Sequence, residues 1–139
     1  MTETTQQAFI QRAGNFEWPG IEIKEYKPGH SQDVTRRTLL EPNDTKFEVR
    51  YFEVQPGGHT SFEEHEHEHC VVILRGEGRV RLGEEWSELS LHDTVYVGPR
   101  VPHQFKNTGV EPFGILCVVE RERDRPILLD LLGNPRTSE

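Results

Sequence analysis

At 139 residues and 16.1 kDa the chain is sized for one domain with a hydrophobic core of its own. Sixteen basic against 24 acidic residues leave a formal net charge of −8, with no basic block to meet nucleic acid or an anionic membrane. No apolar run approaches the roughly 20 residues that span a bilayer, and Met1–Gln11 lacks a basic stretch followed by an apolar one, so a cytoplasmic protein with Cys70 and Cys117 reduced is expected.

Residues 1–16 are polar and without period, and residues 1–20 read as an N-terminal arm. Ile21–Tyr26 alternates apolar and charged residues, the pattern of a half-buried strand, and Lys27-Pro28-Gly29 ends it. Val34–Leu40 and Phe47–Val54 follow, separated by the turn cluster Glu41-Pro42-Asn43-Asp44. Pro56-Gly57-Gly58 is expected to break the chain before a strand at His59–His65. Further strands are expected at His69–Arg75, Gly78–Leu82, Trp86–Leu89, Thr94–Val97, Val101–Lys106 and Gly114–Glu120. Residues 82–85 form a hairpin turn in this reading, and Val97-Gly98-Pro99-Arg100 a sharper corner. About ten short strands with no helix between them imply an antiparallel sandwich or barrel over residues 21–121. In the tail, residues 122–139, Ile127–Leu132 reads as a short helix stopped by Gly133-Asn134-Pro135.

The densest chemistry lies in Glu63-Glu64-His65-Glu66-His67-Glu68-His69. Imidazoles and carboxylates are the usual ligands of borderline divalent metals. Strand alternation puts His59, Ser61, Glu63 and His65 on one face. A tight turn at Glu66-His67-Glu68 would bring His69 beside His65, converging Glu63, His65 and His69. His103 opens a strand after the Gly-Pro corner and could enter a barrel mouth, although a lone histidine is more often structural than a ligand. A bland alternative makes the whole run a surface chelator, which requires His103 to lie far from His65.

The spacing Gly57, five residues, Glu63-x-His65, three residues, His69, six residues, Gly76 resembles the first motif of the cupins. Two ligand types are exchanged: Glu63 stands where that motif has its first histidine, and His69 where it has its glutamate. The alternative register, with His65 and His67 as the pair, would put Val71 or Val72 at the carboxylate position, which leaves His67 as a turn residue near the site. The second cupin motif is matched at Pro102, His103 and Asn107 and departs from the pattern at Gly98 and Arg100. The resemblance covers roughly residues 45–120. It implies an all-β, antiparallel jelly-roll barrel holding one divalent transition metal at Glu63, His65, His69 and His103. Mn, Fe, Ni or Co suits one oxygen and three imidazoles, and Zn or Cu could also be held. His67, Asn107, Arg50, Tyr51 and Phe105 would surround the site.

Two functions are compatible with that arrangement. One is a metalloenzyme, a lyase, isomerase or dioxygenase, acting on a small polar molecule, of enediol or hydroxyketone type with or without a phosphate, with the metal as Lewis acid. The run from Arg50 to His59 and Phe113–Cys117 resemble a cupin subgroup that includes methylthio-xylulose-phosphate methylsulfurylase-like enzymes, and in it Cys117 would be the catalytic thiol. Taken alone, Cys117 lies in a strand apolar at both parities, and its side cannot be assigned. The other function is a non-catalytic sensor or storage cupin. Arg50, Arg79, Arg81 and Arg100 could form an anion site or merely solvated strand faces. The resemblance also implies a homodimer, with Ile21–Tyr26 contributing.

Overall fold

The computed structural model of the chain describes residues 8–40 and 45–136. Among them are eleven strands and no helix: β1 (Lys24–Glu25), β2 (Gln32–Thr38), β3 (Phe47–His59), β4 (Glu63–Glu64), β5 (His69–Arg75), β6 (Gly78–Leu82), β7 (Glu85–Leu89), β8 (Thr94–Val97), β9 (His103–Asn107), β10 (Phe113–Glu120) and β11 (Ile127–Leu128). All pairs are antiparallel, and they run in the order β11-β4-β9-β3-β10-β5-β8, with β2 added to β3, β1 to β2, β6 to β9 and β7 to β6. The long strand β3 makes the curl. Its first half pairs with β10 from Phe47 to Val54, and its last residue, His59, pairs with Lys106 of β9. The result is an antiparallel jelly-roll barrel. No helix of the described residues is long and apolar enough to cross a membrane.

Period-2 alternation accounts for what faces inward. Phe113, Ile115, Cys117 and Val119 of β10 meet Val71 and Ile73 of β5, Val80 of β6 and Phe105 of β9 in one buried cluster. Each such side chain, fully buried, contributes about 1.5–3 kcal/mol of hydrophobic stabilisation. The opposite face of β3 carries Tyr51, which is completely buried beneath Trp18 and Phe16, with ring centroids 5.0 and 6.0 Å away. The N-terminal segment is therefore fastened to the outside of the barrel by aromatic packing.

Several boundaries differ from the sequence reading. The strand expected at Ile21–Tyr26 contracts to two residues: Lys24 and Glu25 pair in register with Arg36 and Thr35 of β2, and Tyr26 adds one N–H bond to the Val34 carbonyl at 3.0 Å. Pro56-Gly57-Gly58 does not break β3. Pairing with β2 instead jumps from Val34↔Val54 to Gln32↔His59, and Gly57 takes φ +84° to let the extra residues loop out. The strand expected at His59–His65 is split: His59 ends β3, and Glu63–Glu64 form the separate two-residue β4. The helix expected at Ile127–Leu132 does not form: Ile127 and Leu128 pair with Glu64 and Glu63, and Leu129 donates its N–H to the Phe62 carbonyl. The turn cluster Glu41-Pro42-Asn43-Asp44 lies outside the described residues. The 82–85 hairpin closes as expected, with Leu82 opposite Glu85 and Gly83 at φ +65°.

Candidate metal centre

Three elements deliver three histidines to one end of the barrel. His65 lies in the turn after β4, His69 opens β5 and His103 opens β9. Their ring nitrogens lie within 4.8 Å of one another, and all three side chains are buried. The ring centroids are 5.0 Å apart for His65–His69, 4.7 Å for His65–His103 and 4.9 Å for His69–His103. A surface chelator is excluded by this convergence, since His103 sits against His65 and neither is exposed. Glu63 pairs directly with His103 across β4 and β9, and its Oε2 is 3.9 Å from Nε2 of both His65 and His103. Its Oε1 accepts a 2.6 Å hydrogen bond from the Ser61 hydroxyl.

Hydrogen bonds orient the rings. Nδ1 of His65 lies 2.7 Å from the His67 carbonyl, and Nδ1 of His103 lies 2.8 Å from the Val101 carbonyl. A carbonyl only accepts, so both Nδ1 atoms carry the proton and both Nε2 atoms keep a lone pair. Nδ1 of His69 lies 3.0 Å from Cys117 Sγ, while its Nε2 is buried without a hydrogen-bond partner among the described residues. A buried imidazole nitrogen left unpaired is costly unless something accepts its lone pair. Burial, reinforced for His65 and His69 by the neighbouring His103, lowers all three pKa values, to about 4 for His65 and for His103 and further for His69. Neutral imidazoles with converging lone pairs are what a divalent metal binds. The donor set of His65, His69 and His103 fits such an ion.

His67 is buried and stacks on His65 with centroids 3.7 Å apart. It is fixed by Asp124, whose carboxylate accepts from the backbone N–H of Glu66 at 2.8 Å, from the backbone N–H of His67 at 3.0 Å and pairs with His67 Nδ1 at 2.8 Å. The Glu66 N–H and the His67 imidazole hold Asp124 well below the usual carboxylate range. The sequence reading missed Asp124, which lies 57 residues from His67 outside any motif.

Cys117 faces the centre. Its Sγ contacts His69 and lies 3.5 Å from Arg50 Nη2. Burial pushes the thiol pKa up, and the Arg50 guanidinium pulls against that rise. Cys70, its neighbour in sequence to His69, points to the other face and is half-buried.

The remaining expected neighbours divide. Phe105 shares the inward face of β9 with His103 and belongs to the core. Asn107 does not reach the histidines. It donates to the Val54 and Glu111 carbonyls and accepts from the Gly109 N–H, closing the loop after β9. Tyr51 is on the outer face of β3, bonded to Glu53 at 2.9 Å, so it does not line the site. The four arginines do not converge either. Arg79 pairs with Glu88, Arg100 with Glu66, Arg81 lies on the outer wall, and only Arg50 reaches the centre.

A jelly-roll barrel with a histidine cluster where β4, β5 and β9 meet defines the cupin class. Residues 50–119 match the Cupin domain family model, and the chain belongs to that family. It is 40% identical over 116 residues to 1-methylthio-D-xylulose 5-phosphate methylsulfurylase of Rhodospirillum rubrum, covering 81% of this chain and 74% of that protein. Among solved structures it resembles a cupin-2 domain from Rhodospirillum rubrum, with a TM-score of 0.80, 37% identity, and 90% and 86% of the two chains covered. A cupin 2 conserved barrel domain protein from Rhodopseudomonas palustris is similar at a TM-score of 0.79 and 38% identity, with 89% and 87% covered.

Proposed function

We propose that this cupin is a metal-dependent enzyme that removes the methylthio group from a phosphorylated 1-methylthio ketose, with Cys117 as the accepting nucleophile. The observation that carries the reading is the contact of Cys117 Sγ with His69 at 3.0 Å and with Arg50 at 3.5 Å, on the inward face of the barrel. The similarity to a methylsulfurylase supports the choice of substrate class.

His65, His69 and His103 would hold the ion, with Glu63 as a fourth ligand; Mn, Fe, Ni or Co fits that set best. Bound there, the ion supplies Lewis acidity to the ketose oxygen. The thiolate of Cys117, steadied by Arg50 and by the His69 Nδ1–H, attacks the methylthio sulfur of the substrate. A sulfur–sulfur bond forms as the carbon–sulfur bond breaks. The electron pair stays on the sugar as an enolate, which takes a proton to give the 1-deoxy ketose. Cys117 is left as a methyl disulfide, and a thiol reductant releases methanethiol and restores it.

The test is methanethiol release from 1-methylthio-D-xylulose 5-phosphate in the presence of a thiol. Cys117→Ser is expected to abolish release while binding metal normally. Full activity in that variant overturns the covalent role, and no release by the metal-loaded wild type overturns the substrate assignment. The protein is also proposed to be a homodimer, because Phe9, Ile10 and Ile23 of the N-terminal segment are exposed apolar residues. Light scattering at micromolar concentration reads that directly.

A further inference from the structure

A second concavity lies on the outside of the barrel, away from the histidine cluster. Arg81 of β6 and Gln104 and Lys106 of β9 point outward, because their neighbours Val80 and Phe105 belong to the core. The C-terminal segment folds over them. Leu129 is tied to Phe62, and the Asp130 carboxylate accepts from the N–H groups of Leu132 and Asn134, shaping a turn that sets Leu131 and Arg136 at the rim. The volume of this open pocket is about 330 Å³, within the range of small-molecule sites.

The lining is cationic. Arg81, Lys106 and Arg136 contribute charge, His30 and His59 contribute imidazoles, and among the described residues no aspartate or glutamate lines it. This is unexpected in a chain with 24 acids against 16 bases. The arginines are also held without being neutralised. Arg81 donates from Nε to the Gly83 carbonyl at 2.9 Å and from Nη2 to the Leu131 carbonyl at 3.1 Å, with its guanidinium 4.1 Å from the Phe62 ring centroid. Arg136 Nε donates to the Leu129 carbonyl at 3.2 Å. Carbonyls orient a guanidinium and leave its charge intact. Among the described residues neither arginine nor Lys106 meets a carboxylate. Three like charges around one pocket repel unless an anion sits among them. Phe62, Trp86 and Leu129 supply apolar wall beside them.

We infer that this outer pocket is a binding site for a small organic anion, a phosphate or carboxylate head carried on an apolar body. The head would lie among Arg81, Lys106 and Arg136, where a guanidinium offers paired donors, and the body against Trp86 and Leu129. The site is independent of the metal centre and of the reaction proposed there.

Phenyl phosphate titrated into the isotopically labelled full chain tests it by NMR. Saturable shifts are expected at the Trp86 indole N–H and at the Lys106 and Leu131 amides, with inorganic phosphate binding more weakly. Lys106→Glu and Arg136→Gln, both at exposed positions, are expected to weaken binding at least about tenfold, with spectra of the free variants confirming the fold. His103→Ala is expected to leave it unchanged. The inference is overturned if no saturable shift appears at Trp86 at millimolar probe, or if both charge variants bind as wild type does. Equal affinity for inorganic phosphate overturns the organic ligand. Shifts that follow protein concentration and not the probe overturn it in favour of a second copy of the chain.

Discussion

Cys117 Sγ lies 3.0 Å from Nδ1 of His69, so the one buried thiol of the barrel hangs on a member of the histidine triad that could hold a metal. Its reactivity is therefore set by the same ring that would face the ion from its other nitrogen. Arg50 is the second control. It is the charge that opposes the rise in thiol pKa caused by burial. Arg50→Gln is expected to move the midpoint of Cys117 alkylation to higher pH, because removing a nearby cation disfavours the thiolate. Alkylation rate against pH, followed by mass spectrometry in a Cys70→Ser background, measures this; an unmoved midpoint would show that Arg50 does not act on the thiol.

Acid should destabilise the metal-free protein in a defined window. His103 has a folded-state pKa near 4 against 6.5 for an ordinary histidine. Between those values the unfolded chain binds a proton that the folded chain does not, so stability falls as pH drops from 6.5 towards 4 and levels off below. His103 alone accounts for about 3 kcal/mol of this, as an order of magnitude. His65 acts in the same direction over the same window. Urea midpoints measured from pH 7 to pH 4 check it, and a flat profile refutes it. A saturating divalent ion should hold the midpoint up until the pH at which the imidazoles are protonated off the metal.

Asp124→Ala should loosen the ligand loop without touching a ligand. The carboxylate gathers the Glu66 and His67 N–H groups and the His67 imidazole, and the His67 carbonyl in turn sets the His65 ring. Losing such an orienting partner typically weakens metal affinity by about 10–100-fold. Competition against a chromogenic chelator reads the affinity. Wild-type affinity in the variant would mean that the turn holds its shape without Asp124.

Gly78→Ala should damage the wall that carries His103. A methyl group at Gly78 would sit 2.5 Å from the Lys106 carbonyl oxygen and 2.7 Å from the Phe113 ring. It would force β6 and β9 apart near Gly78↔Asn107, at the far end of β9 from His103. Overpacking of this kind costs roughly 1–3 kcal/mol. Thermal unfolding measures the loss, and an unchanged melting temperature counts against it.

Much of the barrel is written locally. Strands β5, β6 and β8 occupy the residues that short apolar or alternating runs and flanking turns mark out, because those signals need only neighbours in sequence. The spacing of Glu63, His65 and His69 around a turn likewise singles out the ligand loop, and Gly76, at φ +71° between β5 and β6, fills the motif's last glycine position where a side chain would be strained. Ile127–Leu132 shows where local pattern fails. A short apolar run suits a helix or a strand equally, and it was the free edge of β4 that made Ile127–Leu128 a strand.

By itself, then, the sequence determined an all-β antiparallel fold, which the cupin resemblance narrowed to a barrel, together with the loop carrying His65 and His69 and the candidacy of His103. Only the tertiary structure decided that Cys117 faces inward beside His69, since both faces of its strand are apolar and only the β3–β10–β5 register chooses between them. It alone brought Asp124 to His67 and set Arg81, Lys106 and Arg136 around one pocket. Alternation is a property of neighbouring residues, whereas these contacts depend on which strands pair and where the C-terminal segment lies, and no local pattern encodes that.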